Sequence, residues 1–555
     1  MKLPEPQTRT FSGLIEEIKK GQIKIPQFQR DFVWTIQKSA GLIDSILKGY
    51  PIGTFIFWRT KDRLRSIRNL GEQQLPEPQE GDAIDYVLDG QQRLTSLYAC
   101  LNGISIRREN GKDDDFSKIF INLKSEEDEQ IVVIEKDEET DSFISILDLL
   151  EGDFTVLGAY PKKYHKKLIL YQDRIKSYQY PIIQIKDASI SVATEIFTRI
   201  NVGGKPLSVF EIMVAKTFDY EKDFDLSEKY QQLIEKLSRV DYETISDTTV
   251  LQTVSIILSG ECKKQAILGL DKNEFIEMWG EAADAIEKAV WYFRSFYRIP
   301  VSQLLPYNAM IVPFAYFFFK YKKDKPTGNK QKYLRDFFWK CSLSEHYSSG
   351  LEGKLAQDVK RIDKILADKL PSYDWPINSS ADFVIDNGWF SSSRSYVKAI
   401  LCIYAYHQPK SFNNEAIVEI GNSWLKRANS KNYHHFFPKS YLKKINEEDS
   451  KINHILNITI VDDFLNKREI GAKKPSVYMR KFKKDNPILS ETMKTHLIDD
   501  LEEFGIWDDD YGAFFRKRAE RVSKEIDKRI IKQKIDSKEQ PELKDDYEQE
   551  GTVAE

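Results

Sequence analysis

The chain of 555 residues predicts a multidomain α+β protein, and three observations lead there. Short apolar strand runs alternate with amphipathic helices over roughly the first 215 residues, helical periodicity dominates from there to about residue 425, and a strand, strand, helix pattern returns within 432–478. The length divides into about three or four domains, each large enough to bury a core of its own.

Taking the elements in order, Leu14, Ile15 and Ile18 fall on one face of a first helix, and Ile23 and Ile25 begin an extended run. Thr35 caps a helix whose stripe is Leu42, Ile43, Ile46 and Leu47, closed by Gly49 before Pro51. Residues 52–58 read as a buried strand and 61–83 as a loop. In DYVLDGQQRLTSLYACL, a strand over Tyr86, Val87 and Leu88 reaches the turn Asp89, Gly90, Gln91, and a helix follows with Leu94, Leu97, Tyr98 and Leu101 on one face. A glycine turn entering a helix leaves backbone N–H groups unpaired at the positive end of the dipole, which suits a phosphate, although such a turn is more often only a connection. No GxxxxGK[ST] motif occurs, so any nucleotide site here is not a P-loop. YPIIQIK, 180–186, reads as another buried strand, and Ser208 with Glu211 forms a capping box after the Gly203–Gly204 turn. The aromatic segments 289–297 and 314–321 have helical spacing, which favours packing over base stacking.

Composition narrows the function. Cys100, Cys262, Cys341 and Cys402 show no CxxC pair, which argues against a disulfide framework or a zinc knuckle and fits a reducing cytoplasm. MKLPEPQTRT lacks an apolar signal core, and the longest apolar run, 304–319, is broken by Pro306, Asn308 and Pro313, so neither secretion nor membrane insertion is expected. The net charge of −3 hides an uneven distribution: 536–555 holds eight acidic and two basic residues, whereas 426–487 holds fifteen Lys or Arg against seven Asp or Glu. Clustered positive charge is what phosphate binding requires, although a solvated helix face can carry the same lysines.

The cluster surrounds the stretch richest in chemistry. HHFFP ends a short aromatic strand at Pro438, NITIV belongs to a second apolar strand over 455–461 with Asn457 inside it, and Asp462 and Asp463 cap a helix carrying Asn466. Hydrolysing a phosphodiester needs a base to activate water and a cation to hold charge on the phosphate and departing oxygen. A histidine pair beside aromatics can be mere packing, but three such segments in this order resemble the HNH ββα-metal nuclease. That resemblance implies His435 as base, His434 and Asn466 as metal ligands, Asn457 as the brace of the loop, and Lys473 or Lys474 as the phosphate contact. His434 stands where many HNH relatives carry Asp or Glu.

The front half carries a second resemblance. IPQFQRDFVW, KGYPIGTFIFW, YVLDGQQRLTSL and FTRINVGGKPLSVFEI are similar, in that order, to the ParB-like N-terminal domain of GmrSD-type modification-dependent (type IV) restriction endonucleases; SspE-like phosphorothioate-sensing nucleases share this domain and the HNH module. The resemblance implies nucleotide binding and hydrolysis at Asp89, Gly90, Gln91, Gln92 and Arg93, joined by Arg30, Arg199 and Asn201. The expected organisation is a ParB-like NTP-binding sensor over 1–215, a helical middle over 216–425, an HNH domain with flanking helices over 426–535, and a disordered acidic tail over 536–555. The expected cofactors are a divalent metal, Mg²⁺ or Mn²⁺, and an NTP, GTP among the candidates. The expected partners are modified phage DNA, a second copy of the chain, or other defence proteins. The implied function is an NTP-regulated DNA endonuclease of anti-phage defence; a phosphorothioate-sensing nicking effector and a nucleotide-dependent DNA-binding switch without nuclease activity are the alternatives.

Overall fold

Strand pairing brings distant stretches of the first 226 residues side by side. β1 (Glu5–Thr10), β2 (Ile23–Lys24), β3 (Phe55–Thr60), β4 (Ile84–Asp89) and β5 (Gln179–Lys186) form one sheet in the order β1-β5-β3-β4-β2. β5 runs antiparallel to β1 and parallel to β3, while β4 runs antiparallel to β3 and parallel to β2. This mixed sheet places the unit in the α+β class. The computed structural model describes residues 3–26, 32–61, 69–70, 73–74, 76, 78–79, 81–107, 113–126, 129–136, 141–200, 208–219, 221–323, 325–414, 416–421, 433–461, 470–541 and 543.

Both faces of the sheet are covered, which is why β3, β4 and β5 read as largely apolar runs. Phe55, Phe57, Val87, Tyr180 and Ile182 pack with α1 (Phe11–Lys19), α2 (Ile36–Leu47) and α3 (Gln91–Asn102). Trp58, Tyr86, Leu88 and Ile185 face the other way, against Ile190 and Ala193 of α4 (Ile190–Ile200) and Ala215 of α5 (Val209–Thr217). The expected stripe of α2 is buried. α5 begins with the reciprocal Ser208–Glu211 capping box, as its sequence predicts.

Residues 227–555 form the second unit, Met1–Leu226 being the first. Its body includes α6 (Asp247–Ser259), α7 (Lys272–Ser295), α8 (Ile311–Tyr321), α9 (Gly328–Ser342), α10 (Leu351–Leu366) and α11 (Ser395–Tyr406). α8 is buried over its first eight positions, a helix apolar all round packed among α6, α7 and α10. Phe293 lies 4.7 Å from Phe314 and Tyr297 4.2 Å from Phe338, ring to ring, so these aromatic segments are core. The chain then supplies β6 (Tyr433–His435), α12 (Lys439–Lys444), β7 (Ile458–Ile460), α13 (Pro475–Asp485) and α14 (Tyr511–Asp527).

Two local expectations are corrected. The second apolar strand starts at Ile458, because Ile455–Asn457 form a 3₁₀ turn bent around the Asn457 carboxamide. The acidic segment expected to be disordered from residue 536 instead begins docked. Asp536 accepts from the buried Lys340 ammonium at 2.6 Å and from the Ile377 amide at 2.9 Å. Gln540 donates to the Leu343 carbonyl. An acidic count could not reveal that one carboxylate of the run neutralises an interior lysine.

Candidate active site

β6 and β7 pair antiparallel with His434 opposite Thr459 and His435 opposite Ile458. Alternation along a strand sends the two neighbouring imidazoles to opposite faces. The His434 ring is 2% exposed and has Phe412 and Tyr478 at 6.4 and 6.3 Å, ring to ring. His435 turns the other way, and its Nε2 lies 3.1 Å from Asn453 Oδ1. Among the described residues, no hydrogen bond engages its Nδ1. Burial and the Lys439 ammonium at the start of α12 push the His435 pKa down to about 4, and the bond to Asn453 opposes them only in part. At neutral pH this imidazole is uncharged and able to accept a proton.

Asparagine side chains hold the surrounding loop. Asn457, fully buried, accepts from the Phe437 amide at 2.9 Å and donates to the carbonyls of Phe437 and Ile452 at 3.0 and 3.1 Å. Asn453 donates from Nδ2 to the Phe390 carbonyl at 3.1 Å, and its own carbonyl accepts from the Phe390 amide at 2.9 Å. The segment 388–390 thereby runs beside 453–455, with Ile455 donating to the Gly388 carbonyl at 2.8 Å. Gly388 is required there, since a Cβ would lie 2.3 Å from the His454 ring.

The sequence pointed to neither Asn453 nor Lys439. The signals were present: KINHILN contains two asparagines, and the strand reading used only the second, while Lys439 directly follows HHFFP. His454 and His496 are different in kind. Each donates from Nε2 to a carbonyl, Ile385 or Lys410, and burial lowers their pKa values to about 3 and 4. They are interior imidazoles locked neutral.

Asn466 lies outside the described residues, so of the two expected metal ligands the structure places His434 alone. One imidazole and one carboxamide make a sparse, uncharged donor set, which suits a divalent ion that keeps much of its water; the imidazole favours Mn²⁺ over Mg²⁺. The one described cluster of potential metal ligands is elsewhere: Cys341, His346 and Asp358, all buried. Asp358 is already occupied there, by Tyr347 at 2.6 Å, Arg361 at 2.8 Å and His346 at 2.9 Å, which makes the cluster an ion-pair lock. Lys474 is committed to Asp509 at 2.8 Å, and Lys473 is exposed at the same turn.

In the first unit, Gly90 caps α3 in the left-handed conformation, φ 91°, and has no side chain of its own with which to cap the first turn. A Cβ at Gly90 would lie 2.5 Å from Phe55. Arg93 spends its guanidinium on the Ile52 carbonyl at 2.7 Å, the Thr54 carbonyl at 3.0 Å and Asp89 at 3.1 Å. Gln92 accepts from the amides of Val33 and Trp34 at 2.8 and 3.3 Å and donates to Gln91. Asp89, Gly90, Gln91, Gln92 and Arg93 therefore form one knot. Arg199 pairs with Glu195 on the exposed side of α4. Arg30 and Asn201 lie outside the described residues.

Fold and sites together define a two-unit α+β protein: a sheet covered on both faces and knotted at a glycine turn, then a helical unit that presents one oriented imidazole on a strand pair. Residues 11–218 match the family described as GmrSD restriction endonuclease, N-terminal domain, a match within the first unit. The chain is also similar to an uncharacterized protein of Methanocaldococcus jannaschii, 25% identical over 526 residues, covering 85% of this chain and 86% of that protein. Coverage so broad takes in parts of both units. Among the described residues, no helix is long and apolar enough to cross a membrane.

Proposed function

We propose that the chain is a restriction endonuclease of anti-phage defence, with an NTP-responsive first unit and an HNH-type DNA-cutting site built around His435. The observation that carries this reading is the His435 imidazole, neutral and held by one nitrogen to Asn453 while the other makes no hydrogen bond among the described residues. Nδ1 takes the proton from the attacking water, and Asn457 keeps the loop beneath it in shape. Lys439, and Lys473 across the exposed turn, bring positive charge to the scissile phosphate. A divalent ion, Mg²⁺ or Mn²⁺, would supply charge at the phosphate and the departing 3′ oxygen; His434 and Asn466 are its proposed ligands, with the buried His434 ring on the strand face opposite His435. In the first unit, the glycine turn that enters α3 is the proposed seat of the NTP phosphates, and the knot of Asp89, Gln92 and Arg93 holds the neighbouring loops in place. The sensor over 1–215, helical middle, nuclease region over 426–535 and acidic end remain the proposed division of labour.

The test is cleavage by the purified full chain of glucosylated, phosphorothioated and plain DNA, with and without NTP, in Mg²⁺ or Mn²⁺. Cutting confined to glucosylated DNA and lost in His435→Ala supports the reading. Cutting confined to phosphorothioated DNA favours the phosphorothioate-sensing alternative. Retained cutting in His435→Ala refutes the assignment of the base, and nucleotide-dependent DNA binding without cleavage in any arm refutes the nuclease.

A further inference from the structure

We infer that Asn453 is the positioning residue that sets which nitrogen of His435 carries the proton, an inference that rests on reading His435 as the base. A carboxamide offers one acceptor oxygen and one donor nitrogen, and its orientation is known once one of them is fixed. Here Nδ2 faces the Phe390 carbonyl, which can only accept, at 3.1 Å. The Phe390 amide in turn donates to the Asn453 main-chain carbonyl at 2.9 Å, which holds the residue beside Phe390, and turning the side-chain amide over would set Oδ1 against the Phe390 carbonyl and lose the Nδ2 bond. Oδ1 must then face His435, and across the 3.1 Å to Nε2 it can only accept. The neutral imidazole therefore carries its hydrogen on Nε2 and keeps the lone pair on Nδ1.

The consequence is a relay of orientation from outside the strand pair. The 388–390 segment fixes Asn453, Asn453 fixes the ring, and Nδ1 is left as the one nitrogen able to accept a proton from water. Asn457 performs a different task four residues later, since its three side-chain hydrogen bonds among the described residues go to backbone groups of Phe437 and Ile452. Among the described residues, Asn453 alone connects the loop to the imidazole.

The experiment pairs kinetics with nitrogen NMR on the full chain. With ¹⁵N-labelled histidine in the metal-free protein, and His435→Gln to assign the signal among seven histidines, the His435 resonances should show a protonated Nε2 and a bare Nδ1. Asn453→Ala should mix the tautomers and lower kcat for DNA cleavage by about 10- to 100-fold, the scale of losing a histidine's outer hydrogen-bond partner, with KM unchanged. Asn453→Asp keeps an acceptor oxygen facing the ring and should recover most of both readouts. A hydrogen on Nδ1 in the unsubstituted protein overturns the inference, as does Asn453→Ala with undiminished kcat. If Asn453→Ala does not fold, the tautomer of the unsubstituted chain and the Asn453→Asp rate still decide. If the full chain cuts no DNA at all, the nuclease reading fails, and the tautomer still decides independently whether Asn453 sets the proton.

Discussion

The glycine turn of the first unit and the histidine strand pair of the second are both polar constellations at the end of a strand, and they spend their hydrogen bonds in opposite ways. At the turn, Arg93 gives its two terminal nitrogens to Ile52, Thr54 and Asp89, and the Gln92 oxygen accepts two backbone amides. At the strand pair, Asn457 gives its carboxamide wholly to the backbone and Asn453 divides its own between the Phe390 carbonyl and His435, while among the described residues His435 is tied through one nitrogen only. The first arrangement ties the neighbouring loops to the start of α3. The second orients one side chain and leaves it chemically available. A charged residue in a motif can thus be scaffold, while the reactive group is the one its neighbours leave half-engaged.

His435→Ala tests that contrast most severely. DNA cleavage should fall by about 10²- to 10⁴-fold, the scale of a lost general base, while thermal melting barely moves; a large melting shift would place His435 with the scaffold. Arg93→Ala should show the reverse pattern. Three carbonyl or carboxylate acceptors lose a cation that is largely buried, so the first unit should lose about 2 to 4 kcal/mol by denaturant unfolding, and unchanged stability would make Arg93 a ligand contact.

Acid should sharpen the distinction inside the second unit. Burial holds His454 and His496 below their ordinary 6.5, at about 3 and 4, so the unfolded chain binds protons there that the folded chain refuses. Their contribution to stability is complete above about pH 6.5 and drains away as pH falls toward those folded values. By about pH 5 each should have cost about 2 kcal/mol, readable as a falling midpoint in urea; a flat midpoint would mean that the two rings are not held neutral. The smallest effect is expected at Lys474. Because its ammonium is engaged by Asp509, Lys474→Ala should leave both cleavage and its salt dependence nearly unchanged. A marked loss would return it to the role of phosphate contact.

What the sequence revealed follows a physical division. Periodicity and caps are local, so the α2 stripe, the Ser208–Glu211 box and the strands β3 and β4 were all legible, within a few residues. The HHFFP strand was legible in the same way. Sheet order was not, because β1 and β5 meet across more than 170 residues of chain. The two carbonyl acceptors of Arg93, Ile52 and Thr54, lie some forty residues upstream, and the Phe390 partner of Asn453 lies 63 residues before it. A motif names its residues; only the fold says to whom each donor is already promised. The start of the second strand was misplaced for a related reason, since the side-chain bonds of Asn457 override the extended preference of its apolar neighbours.

The docked start of the acidic segment has one more consequence. Lys340 is wholly enclosed, and the carboxylate that answers its charge arrives nearly two hundred residues later. A chain cut short after α14 would keep every helix from α1 to α14, yet strand an ammonium ion in an oily interior, at a cost of about 3 to 5 kcal/mol. The helical body is therefore incomplete until its own far end has come back to it.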